Sequence, residues 1–235
     1  MERPVMRLIF LGTKGEIEEH TKKHNYNSSL LIENKNFKLL IDYGKIQKNL
    51  ELIKPNAILI THAHPDHYAW AKKEILTETE VYLTKETFDY GKFKPKNYRI
   101  IKSGKKVKIG NLSVLPYRVN HSIICPAVGF KIFADKKSII YNPDLVSIVN
   151  KNKILSGADY YIGDGSSIRA NLVRKKDGKF FGHSRISTQI NWCKKSRIKK
   201  IIFTHLGKET IKKEKEFSRK NKEIILAYDG MKIKV

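Results

Sequence analysis

The stretch Thr61-His62-Ala63-His64-Pro65-Asp66-His67, directly after the apolar segment at 56–60, decides the fold. It places four side chains that commonly bind metal ions within six residues. Because side chains alternate along an extended chain, His62 and His64 point to the same side. Asp66 and His67 follow Pro65, where the chain must turn, so they can approach from another direction. The segment therefore predicts a strand-end loop that holds two metal ions close together, rather than an ordinary solvated turn.

Apolar runs rich in β-branched residues surround this loop and alternate with polar turns. They have the length of strands, as in RLIFLG at 7–12, SIIYNPD at 138–144 and KIIFTH at 200–205. Helical patterns are fewer, and we expect helices at 45–53, 66–76, 145–156, 184–197 and 208–222. Asp229-Gly230 predicts a hairpin turn. The whole pattern favours an α/β fold in which two sheets pack together with helices outside.

The composition favours one globular domain over residues 1–235. Forty per cent of the 235 residues are hydrophobic, enough for a full core, and no repeat or low-complexity linker divides the chain. No apolar run approaches the roughly 18 residues of a membrane span, and the first residues carry no signal-peptide pattern, so we expect no membrane association. Two cysteines outside any C-x-x-C motif favour a reducing, cytoplasmic compartment.

The net charge is strongly positive, with 47 Lys and Arg against 23 Asp and Glu, or +24. Such a charge favours an anionic partner, with nucleic acid first and a membrane surface or small phosphates after it. Lysine is also the usual solubilising surface residue, and the positive charges are spread along the chain. The charge therefore narrows the class of partner but identifies no chemistry.

The pattern H-x-H-x-D-H after an apolar strand resembles the signature of the metallo-β-lactamase superfamily. Other segments follow in the order typical of that family: LLIDYG with Asp42, VNHSI with His121, IIYNPDL with Asp144 and IIFTHLG with His205. The resemblance extends over nearly the whole chain. It implies an αββα sandwich of two mixed β-sheets flanked by helices.

The same resemblance implies two metal ions bound by seven side chains. These are His62, His64 and His121 for the first ion, Asp66, His67 and His205 for the second, and Asp144 between them. Asp42 is expected to orient the histidine loop by hydrogen bonding rather than to bind metal. The turn Asn142-Pro143-Asp144-Leu145 stands where much of the family has Gly-Asp-Thr, so the local backbone there is expected to differ. The histidine-rich set suits Zn²⁺, with Mn²⁺ or Fe as alternatives.

Several further segments resemble the phosphodiesterase side of the superfamily, in particular tRNase Z and the cyclic phosphodiesterases. They are FLGTKG at 10–15, NSSLLIE at 27–33, HSIICPAVGFKI at 121–132, YYIGDGSS at 160–167, the stretch from GHS to the last histidine at 182–205, and AYDGMKIKV at 227–235. The resemblance implies that His183 donates a proton to the leaving oxygen. Asp164 stands where a glutamate usually orients that histidine, so the pair is one methylene shorter.

The stretch at 166–181 is a modest basic insertion, and the chain carries no long arm of the kind that grips tRNA. The candidate substrate-binding residues for phosphates in this insertion are Arg169, Arg174, Lys175 and Lys176. The phenylalanines at 180–181 are available for stacking on a base or for packing in the core. The longer opening loop carries His20 and His24, which we expect at the surface.

The resemblance implies a hydrolase in which a metal-bridging hydroxide cleaves phosphodiester bonds in nucleic acid or nucleotides. The candidate catalytic side chains are Asp66, His183 and Asp164. Two alternatives stay open, namely hydrolysis of a thioester or lactone, as in glyoxalase II, and a non-catalytic nucleic-acid-binding module. The choice among DNA, RNA and a small cyclic phosphodiester also stays open, as do endo- or exonuclease action and a homodimer. If the charge is functional, Arg169–Lys179 and the basic C-terminal helix should border the mouth of the site.

Overall fold

Two large β-sheets face each other in the computed structural model, which describes residues 6–46 and 48–235. The first sheet has seven strands in the spatial order β17 (Lys232–Lys234), β1 (Arg7–Gly12), β2 (Ser29–Asn34), β3 (Phe37–Ile41), β4 (Ala57–Leu59), β5 (Glu80–Leu83) and β6 (Tyr98–Ile100). The strands from β17 to β3 pair antiparallel, whereas those from β3 to β6 pair parallel, so the sheet is mixed.

The second sheet is also mixed. Its strands run in the spatial order β11 (Ser147–Ile148), β8 (Leu112–Asn120), β9 (Ala127–Ala134), β10 (Lys137–Tyr141), β12 (Tyr160–Asp164), β15 (Lys200–Thr204) and β16 (Ile224–Leu226), with β7 (Val107–Ile109) paired to β8. Strands β10, β12, β15 and β16 are parallel to one another. A separate two-stranded hairpin consists of β13 (Leu172–Lys176) and β14 (Lys179–His183).

Helices cover the outer faces of both sheets. They are α1 (Leu50–Ile53), α2 (Lys85–Tyr90), α3 (Lys151–Leu155), α4 (Ile186–Lys195) and α5 (Lys208–Lys220), with a short 3₁₀ turn at Ala69–Ala71. The core between the sheets joins residues of both, such as Phe10 and Phe130. Outside the second sheet, Cys193 of α4 and Phe217 of α5 join a separate apolar cluster. The αββα sandwich implied by the sequence is therefore confirmed.

The helix expected at 66–76 is wrong, because only Ala69–Ala71 forms a 3₁₀ turn there. Within this segment the backbone forms only a few turn hydrogen bonds, such as that from Ala71 N to Tyr68 O, and it also bonds to Tyr43, two residues beyond β3. Tyr43 N donates to His67 O over 2.8 Å, and Ala69 N donates to Tyr43 O over 2.7 Å. Tyr68 and Trp70 are fully buried against the first sheet. Their apolar spacing thus reflects burial of a loop and not one face of a long helix.

Three further expectations need correction. The helix expected at 145–156 is divided into the short strand β11, which pairs with β8, and the helix α3. The helix expected at 45–53 is confined to α1. Asp229-Gly230 does form a turn, but that turn connects β16 of the second sheet to β17 of the first, so it is no hairpin.

In the part of the chain that the structure describes, no helix is long and apolar enough to cross a membrane.

Candidate metal centre

The ligands expected from the sequence converge at one edge of the sandwich. The loop at 61–67 follows β4, His121 follows β8, Asp144 follows β10 and His205 follows β15. Parallel strands end at the same edge of a sheet, and β8, β10 and β15 run in one direction. Segments that are far apart in sequence therefore meet at the seam between the two sheets.

Three histidines form the first cluster. Nδ1 of His64 lies 2.9 Å from Nε2 of His62 and 3.2 Å from Nε2 of His121. Nδ1 of His121 lies 3.1 Å from the carbonyl oxygen of Gly182, so it donates to that oxygen and leaves Nε2 with a free lone pair. One nitrogen of each ring thus faces a common point, as three histidine ligands of a Zn²⁺ ion would.

Asp66, His67 and His205 form the second cluster, and Asp144 connects it to the first. Nε2 of His67 and Nε2 of His205 each lie 3.2 Å from Oδ2 of Asp66. The Asp144 carboxylate lies 2.7 Å from Nε2 of His67 and 3.1 Å from Nδ1 of His205. It also lies 3.8 Å from Nε2 of His62, which belongs to the first cluster. The structure thus brings together all seven expected ligands, with Asp144 between the two sets.

Asp42 holds this loop in place from behind. Its Oδ2 atom accepts a hydrogen bond from Nδ1 of His67 over 2.8 Å, and its Oδ1 atom accepts from the backbone N–H of Thr61 over 2.8 Å. The bond to Nδ1 fixes the His67 tautomer that leaves Nε2 free toward Asp144. Asp42 is fully buried and has a φ of 62°, an uncommon conformation outside glycine. These contacts match the orienting role that we expect for Asp42.

The buried polar atoms of the site fit divalent metal ions. Nε2 of His67 and both carboxylate oxygens of Asp144 are buried. Although Nε2 lies 2.7 Å from this carboxylate, none of these atoms meets a described residue in hydrogen-bonding geometry. Buried polar atoms without partners are costly, and a metal ion would satisfy them. The donor set of imidazole nitrogens and carboxylate oxygens is one that Zn²⁺, Mn²⁺ and Fe all accept.

The protonation of the first cluster is also consistent with metal binding, whereas His67 of the second cluster would have to release a proton to a metal ion. Burial lowers the pKa of His67, but the carboxylates of Asp66, Asp144 and Asp42 outweigh it and raise that pKa well above its ordinary value. Burial lowers the pKa of His62 and His64 and lowers the pKa of His121 to about 4, so these rings are neutral as ligands must be. Burial would raise the pKa of Asp66 and Asp144, but the surrounding histidines outweigh it and hold both carboxyl groups ionised. The site therefore concentrates lone pairs and negative charge that a divalent cation neutralises.

His183 and Asp164 form a pair beside this centre. Nδ1 of His183 lies 2.8 Å from Oδ2 of Asp164, and it also lies 3.3 Å from Oδ1 of Asp144. Burial lowers the pKa of His183, but the carboxylates of Asp164 and Asp144 outweigh it and raise that pKa to about 11. The ring is therefore protonated at neutral pH, and its Nε2 atom makes no hydrogen bond with a described residue. The shorter aspartate side chain thus reaches the histidine.

The Asp164 carboxylate is itself held by the backbone. Its Oδ2 accepts from the N–H of Leu145 over 3.1 Å and its Oδ1 accepts from the N–H of Ser166 over 2.8 Å. Leu145 belongs to the unusual turn after β10. Asn142 of the same turn is buried and accepts a hydrogen bond from the Tyr117 hydroxyl. The departure from Gly-Asp-Thr is therefore compensated by side-chain and backbone contacts around Asp144.

Three supporting residues escaped the sequence analysis. The Ser166 hydroxyl lies 3.2 Å from Nδ1 of His183 and 3.1 Å from Nδ1 of His205. The Gln189 side chain donates to the backbone oxygen of Asp164 over 2.7 Å. Oε2 of Glu209 accepts from the Ser167 hydroxyl and from the backbone N–H groups at 168–170 over 3.0–3.2 Å. In the sequence, only their positions could have indicated a supporting role. Ser166 belongs to the Gly-Asp-Gly-Ser-Ser segment, and Gln189 and Glu209 lie in the first turns of α4 and α5.

The centre opens into a cleft with a volume of about 750 Å³. His64, Asp66, His121, Asp144, His183 and His205 line it. Four charged side chains also line the cleft, namely those of Glu16, Arg174, Lys208 and Glu209. Of the four expected substrate-binding residues, Arg174 therefore borders the mouth.

The other three basic residues of the insertion do not line the cleft. Lys175 lies on the opposite face of the hairpin, with its ammonium 5.7 Å from the centre of the Phe180 ring. Lys176 is exposed and pairs with Lys179 across the hairpin, next to its turn. Arg169 lines a separate cavity with Lys213 and Lys220 of α5. The expectation that the whole basic insertion and the basic helix border the mouth is therefore wrong for these residues.

The expectation for the opening loop holds for His20, which is exposed, but is wrong for His24. His24 is fully buried, and its Nδ1 atom lies 2.9 Å from the Thr13 hydroxyl. That hydroxyl donates to Asp229 over 2.7 Å, and Nε2 of His24 lies 3.4 Å from Glu214 of α5. His24 thus connects the loop after β1 to α5 and to the last turn of the chain.

The fold and the ligand geometry agree with the comparison to known families. A family model described as "Beta-lactamase superfamily domain" matches residues 23–162, which is more than half of the chain. The chain belongs to the metallo-β-lactamase superfamily. The matched range includes the loop at 61–67, His121 and Asp144, and it ends before Asp164, His183 and His205.

Similar proteins include two that are described as ribonuclease Z or tRNase Z. A ribonuclease Z from Methanopyrus kandleri is 30% identical over 149 residues, which are 56% of this chain and 51% of that protein. The chain thus spans about half the length of this curated relative. The structure of YhfI from Bacillus subtilis, a metallo-β-lactamase fold protein, gives a TM-score of 0.75 at 18% identity and covers 99% of this chain and 100% of its own. The short form of human tRNase Z gives a TM-score of 0.69 at 19% identity, with coverages of 97% and 98%. At such low sequence identities, the comparison with these two structures shows only that they share the fold of this chain.

Proposed function

We propose that this protein is a dinuclear metal-dependent phosphodiesterase that cleaves phosphodiester bonds in nucleic acid or nucleotides. The observation that carries the proposal is the His183–Asp164 pair, which lies beside Asp144 at the cleft. Nδ1 of His183 lies 2.8 Å from Oδ2 of Asp164. The pair adds a proton donor to a site that already has two adjacent clusters of metal ligands.

A proton donor favours substrates whose leaving group is an alkoxide. The oxygen released from a nucleic-acid phosphodiester is strongly basic, so its departure is slow unless it is protonated. A thioester instead releases a thiolate, whose pKa of about 8.5 lets it leave without a proton. The His183–Asp164 pair therefore supports phosphodiester hydrolysis over thioester hydrolysis.

The proposal assigns seven ligands to two divalent ions, as His62, His64 and His121 for the first, Asp66, His67 and His205 for the second, and Asp144 shared by both. When bound, such ions supply an activated water at neutral pH and stabilise negative charge on phosphoryl oxygens. Zn²⁺ is the expected ion, and Mn²⁺ or Fe are the alternatives.

The chain's own residues complete the reaction. Asp66 lines the cleft and accepts a hydrogen bond from the attacking water. His183 donates its proton from Nε2 to the leaving oxygen, while Asp164 holds Nδ1 and stabilises the protonated ring. Arg174, on the cleft side of the hairpin, binds a phosphate oxygen of the substrate.

The class of substrate is supported by charge and by kinship. The net charge of +24 favours a polyanion over a thioester or a lactam. The partial similarity to a ribonuclease Z favours nucleic acid among the polyanions. Arg169, Lys175 and Lys176 lie outside the cleft, so under this proposal they contact phosphates beyond the scissile one.

The test couples metal analysis to a panel of substrates. The metal-loaded protein is offered bis-p-nitrophenyl phosphate, a thioester, a chromogenic lactam, structured RNA, single- and double-stranded DNA and cyclic nucleotides. We expect about two divalent ions per chain and turnover of phosphodiesters, lost on clean metal removal. Faster turnover of the thioester or a lactone would favour the glyoxalase-like alternative. Salt-dependent nucleic-acid binding without turnover would favour a non-catalytic module.

The organisation of the chain is part of the same proposal. We propose that residues 1–235 form a single domain with a basic insertion near 166–181, working as a homodimer in a reducing, cytoplasmic compartment. The free, buried state of Cys125 and Cys193 supports such a compartment. A single cooperative unfolding transition and the mass measured by light scattering would test the single domain and the dimer.

A further inference from the structure

A second groove opens on the other side of the hairpin from the cleft. It has a cavity volume of about 1060 Å³. Its walls are the residues that follow β5 and β6, the end of β8, the segment at 122–128 and the tip of the hairpin. Because β5 and β6 run parallel to β4, they end at the edge that carries the metal centre. The groove thus extends along the same edge of the sandwich as the cleft.

The groove is basic and its cations are largely unpaired. Among the described residues its charged lining consists of Lys85, Glu86, Lys102, Arg118 and Lys179. Lys85 pairs with Asp89, whereas Lys102, Arg118 and Lys179 are exposed and form no ion pair with a described carboxylate. A groove with free cations on three separate elements matches a partner that carries several negative charges along its length.

Apolar groups lie among these cations. The Phe180 ring is 53% exposed and lies in the groove wall. Val149, which is 41% exposed, and Ile123 also line the groove. An exposed aromatic ring in a basic groove is the arrangement that binds the stacked bases of a single strand. A duplex keeps its bases paired inside and offers no base face to such a ring.

The groove and the cleft are separated by one strand end and by the hairpin. His121 lines the cleft, and its neighbours Asn120 and Ser122 line the groove. Across the hairpin, Arg174 pairs with Phe181 and Lys175 pairs with Phe180, so successive pairs point to opposite faces. The cleft and the groove therefore lie on opposite sides of the hairpin and of the end of β8.

We propose that this groove binds the single-stranded nucleotides that flank the scissile phosphodiester. Arg118 and Lys102 contact successive phosphates, and a base stacks on Phe180. The inference rests on the proposed function, since it takes the adjacent cleft as the place of cleavage. It makes the substrate a single-stranded stretch of nucleic acid that extends beyond one nucleotide.

The experiment measures binding and turnover separately in the metal-loaded protein. Binding is measured by fluorescence anisotropy with a labelled, nuclease-resistant phosphorothioate oligonucleotide of roughly 12 nucleotides, single-stranded or annealed to its complement. Turnover is measured with bis-p-nitrophenyl phosphate and with the unmodified oligonucleotide. The test variants are K102E/R118E, F180A and F180W. The matched control is K108E/K136E, which reverses two exposed lysines at the opposite end of the sandwich.

We expect the single strand to bind more tightly than the duplex. K102E/R118E should raise its Kd at least about tenfold and reduce the salt slope of log K by about 1.4, the value for two lost phosphate contacts. F180A should raise the Kd about fivefold or more, and F180W should retain affinity. The loss of kcat/KM on the oligonucleotide should exceed any loss on bis-p-nitrophenyl phosphate by tenfold.

Two sets of results separate this inference from the proposed function. If bis-p-nitrophenyl phosphate is hydrolysed but the groove variants bind the oligonucleotide like the control, the groove proposal is wrong and the phosphodiesterase proposal stands. If no phosphodiester is hydrolysed but binding still depends on Arg118 and Phe180, the proposed function is wrong and the groove stands. Tighter binding of the duplex, or equal binding of polyglutamate, would overturn the groove proposal.

Discussion

The metal centre and the hairpin β13–β14 border one cleft and differ in how they are held. In the centre, His62 and His67 are fully buried and Asp144 is 3% exposed, and they lie in the loops that follow the paired strands β4 and β10. In the hairpin, Arg174 and Lys175 are exposed, and the two strands pair only with each other among the described residues. The centre is thus fixed by both sheets, whereas the hairpin is fixed by its own register and by contacts at its base.

This difference predicts different responses to mutation. A change in the centre leaves a buried charge or an unfilled ligand position, so it should abolish metal binding or chemistry. A change in the hairpin removes one contact with solvent-exposed partners, so it should weaken binding by a modest factor. The comparison fails if hairpin variants lose as much activity as variants of the centre.

The largest effect is expected from the ligands. His64→Ala or Asp66→Ala should reduce kcat/KM on a phosphodiester by about 10³-fold or more, equivalent to roughly 4 kcal/mol of transition-state stabilisation. Bound metal, measured by mass spectrometry of the dialysed protein, should fall in parallel. His20→Ala is the matched control, because His20 is an exposed histidine outside the clusters. Equal losses in the control would assign the effect to general damage.

His183 should act on chemistry without affecting metal content. His183→Asn should lower kcat by roughly 10²–10⁴-fold for substrates with alkoxide leaving groups. The loss should be much smaller for p-nitrophenolate, which leaves without a proton, and the bound metal should stay unchanged. Asp164→Asn should reproduce the same dependence on the leaving group in weaker form. A uniform loss on both substrate types would contradict proton donation by His183.

Asp42 should affect metal affinity before it affects chemistry. Its hydrogen bond to His67 fixes the ring that faces Asp144, and loss of such an orienting partner costs roughly 10- to 100-fold in metal affinity. Asp42→Asn should therefore need more metal for half-maximal activity, with kcat restored near the wild-type value when metal is saturating. A low kcat that excess metal does not restore would indicate that Asp42 does more than orient His67.

Arg174 and Lys175 lie on opposite faces of the hairpin. Arg174→Ala should raise KM for a nucleotide phosphodiester by about tenfold, because it removes a charge-assisted hydrogen bond in the cleft. Lys175→Ala is the matched control, one residue away and of the same charge but on the other face. It should leave KM for this small substrate within about twofold, as expected for an exposed charge outside the contact. Equal effects of the two changes would contradict the register of the hairpin.

The sequence, through its resemblance to the metallo-β-lactamase superfamily, was sufficient to predict the sandwich and to identify the seven candidate ligands that the structure brings together. It was also sufficient to pair His183 with Asp164. It could not predict that the backbone after His67 bonds to Tyr43, and so the apolar spacing of Tyr68 and Trp70 resembled a helix. Nor could it predict which residues of 166–181 face the cleft, since that depends on a register set only in the folded hairpin.

Glu209 shows most clearly what sequence alone misses, because the residues that its Oε2 atom bonds to lie 39 to 42 positions earlier in the chain. Its side chain fixes the segment at 167–170, which leads from the metal centre into the hairpin. This contact predicts an effect on stability rather than on activity. Glu209→Gln should lower the free energy of unfolding by roughly 1.5–3 kcal/mol, the value for hydrogen bonds to a charged group, while the metal ligands stay intact.

The effect of Glu209→Gln should depend on pH in a defined direction. Burial raises the pKa of Glu209, but the backbone N–H of Arg169 and the neighbouring donors outweigh it and lower that pKa to about 2. A carboxyl group whose folded pKa lies below its unfolded value, about 4.3, stabilises the fold above that value. The difference between wild type and variant should therefore be complete at pH 7 and should shrink as the pH falls from about 5 toward 2.

Urea unfolding of both proteins at several pH values measures this difference. Glu216→Gln provides the control on the same helix, because Glu216 pairs with Lys220 at the surface and such pairs contribute little. A Glu209→Gln protein as stable as this control at pH 7 would show that the hairpin needs no anchor at its base. The hairpin would then be held by its own cross-strand pairs, and its contrast with the metal centre would be sharper than the structure suggests.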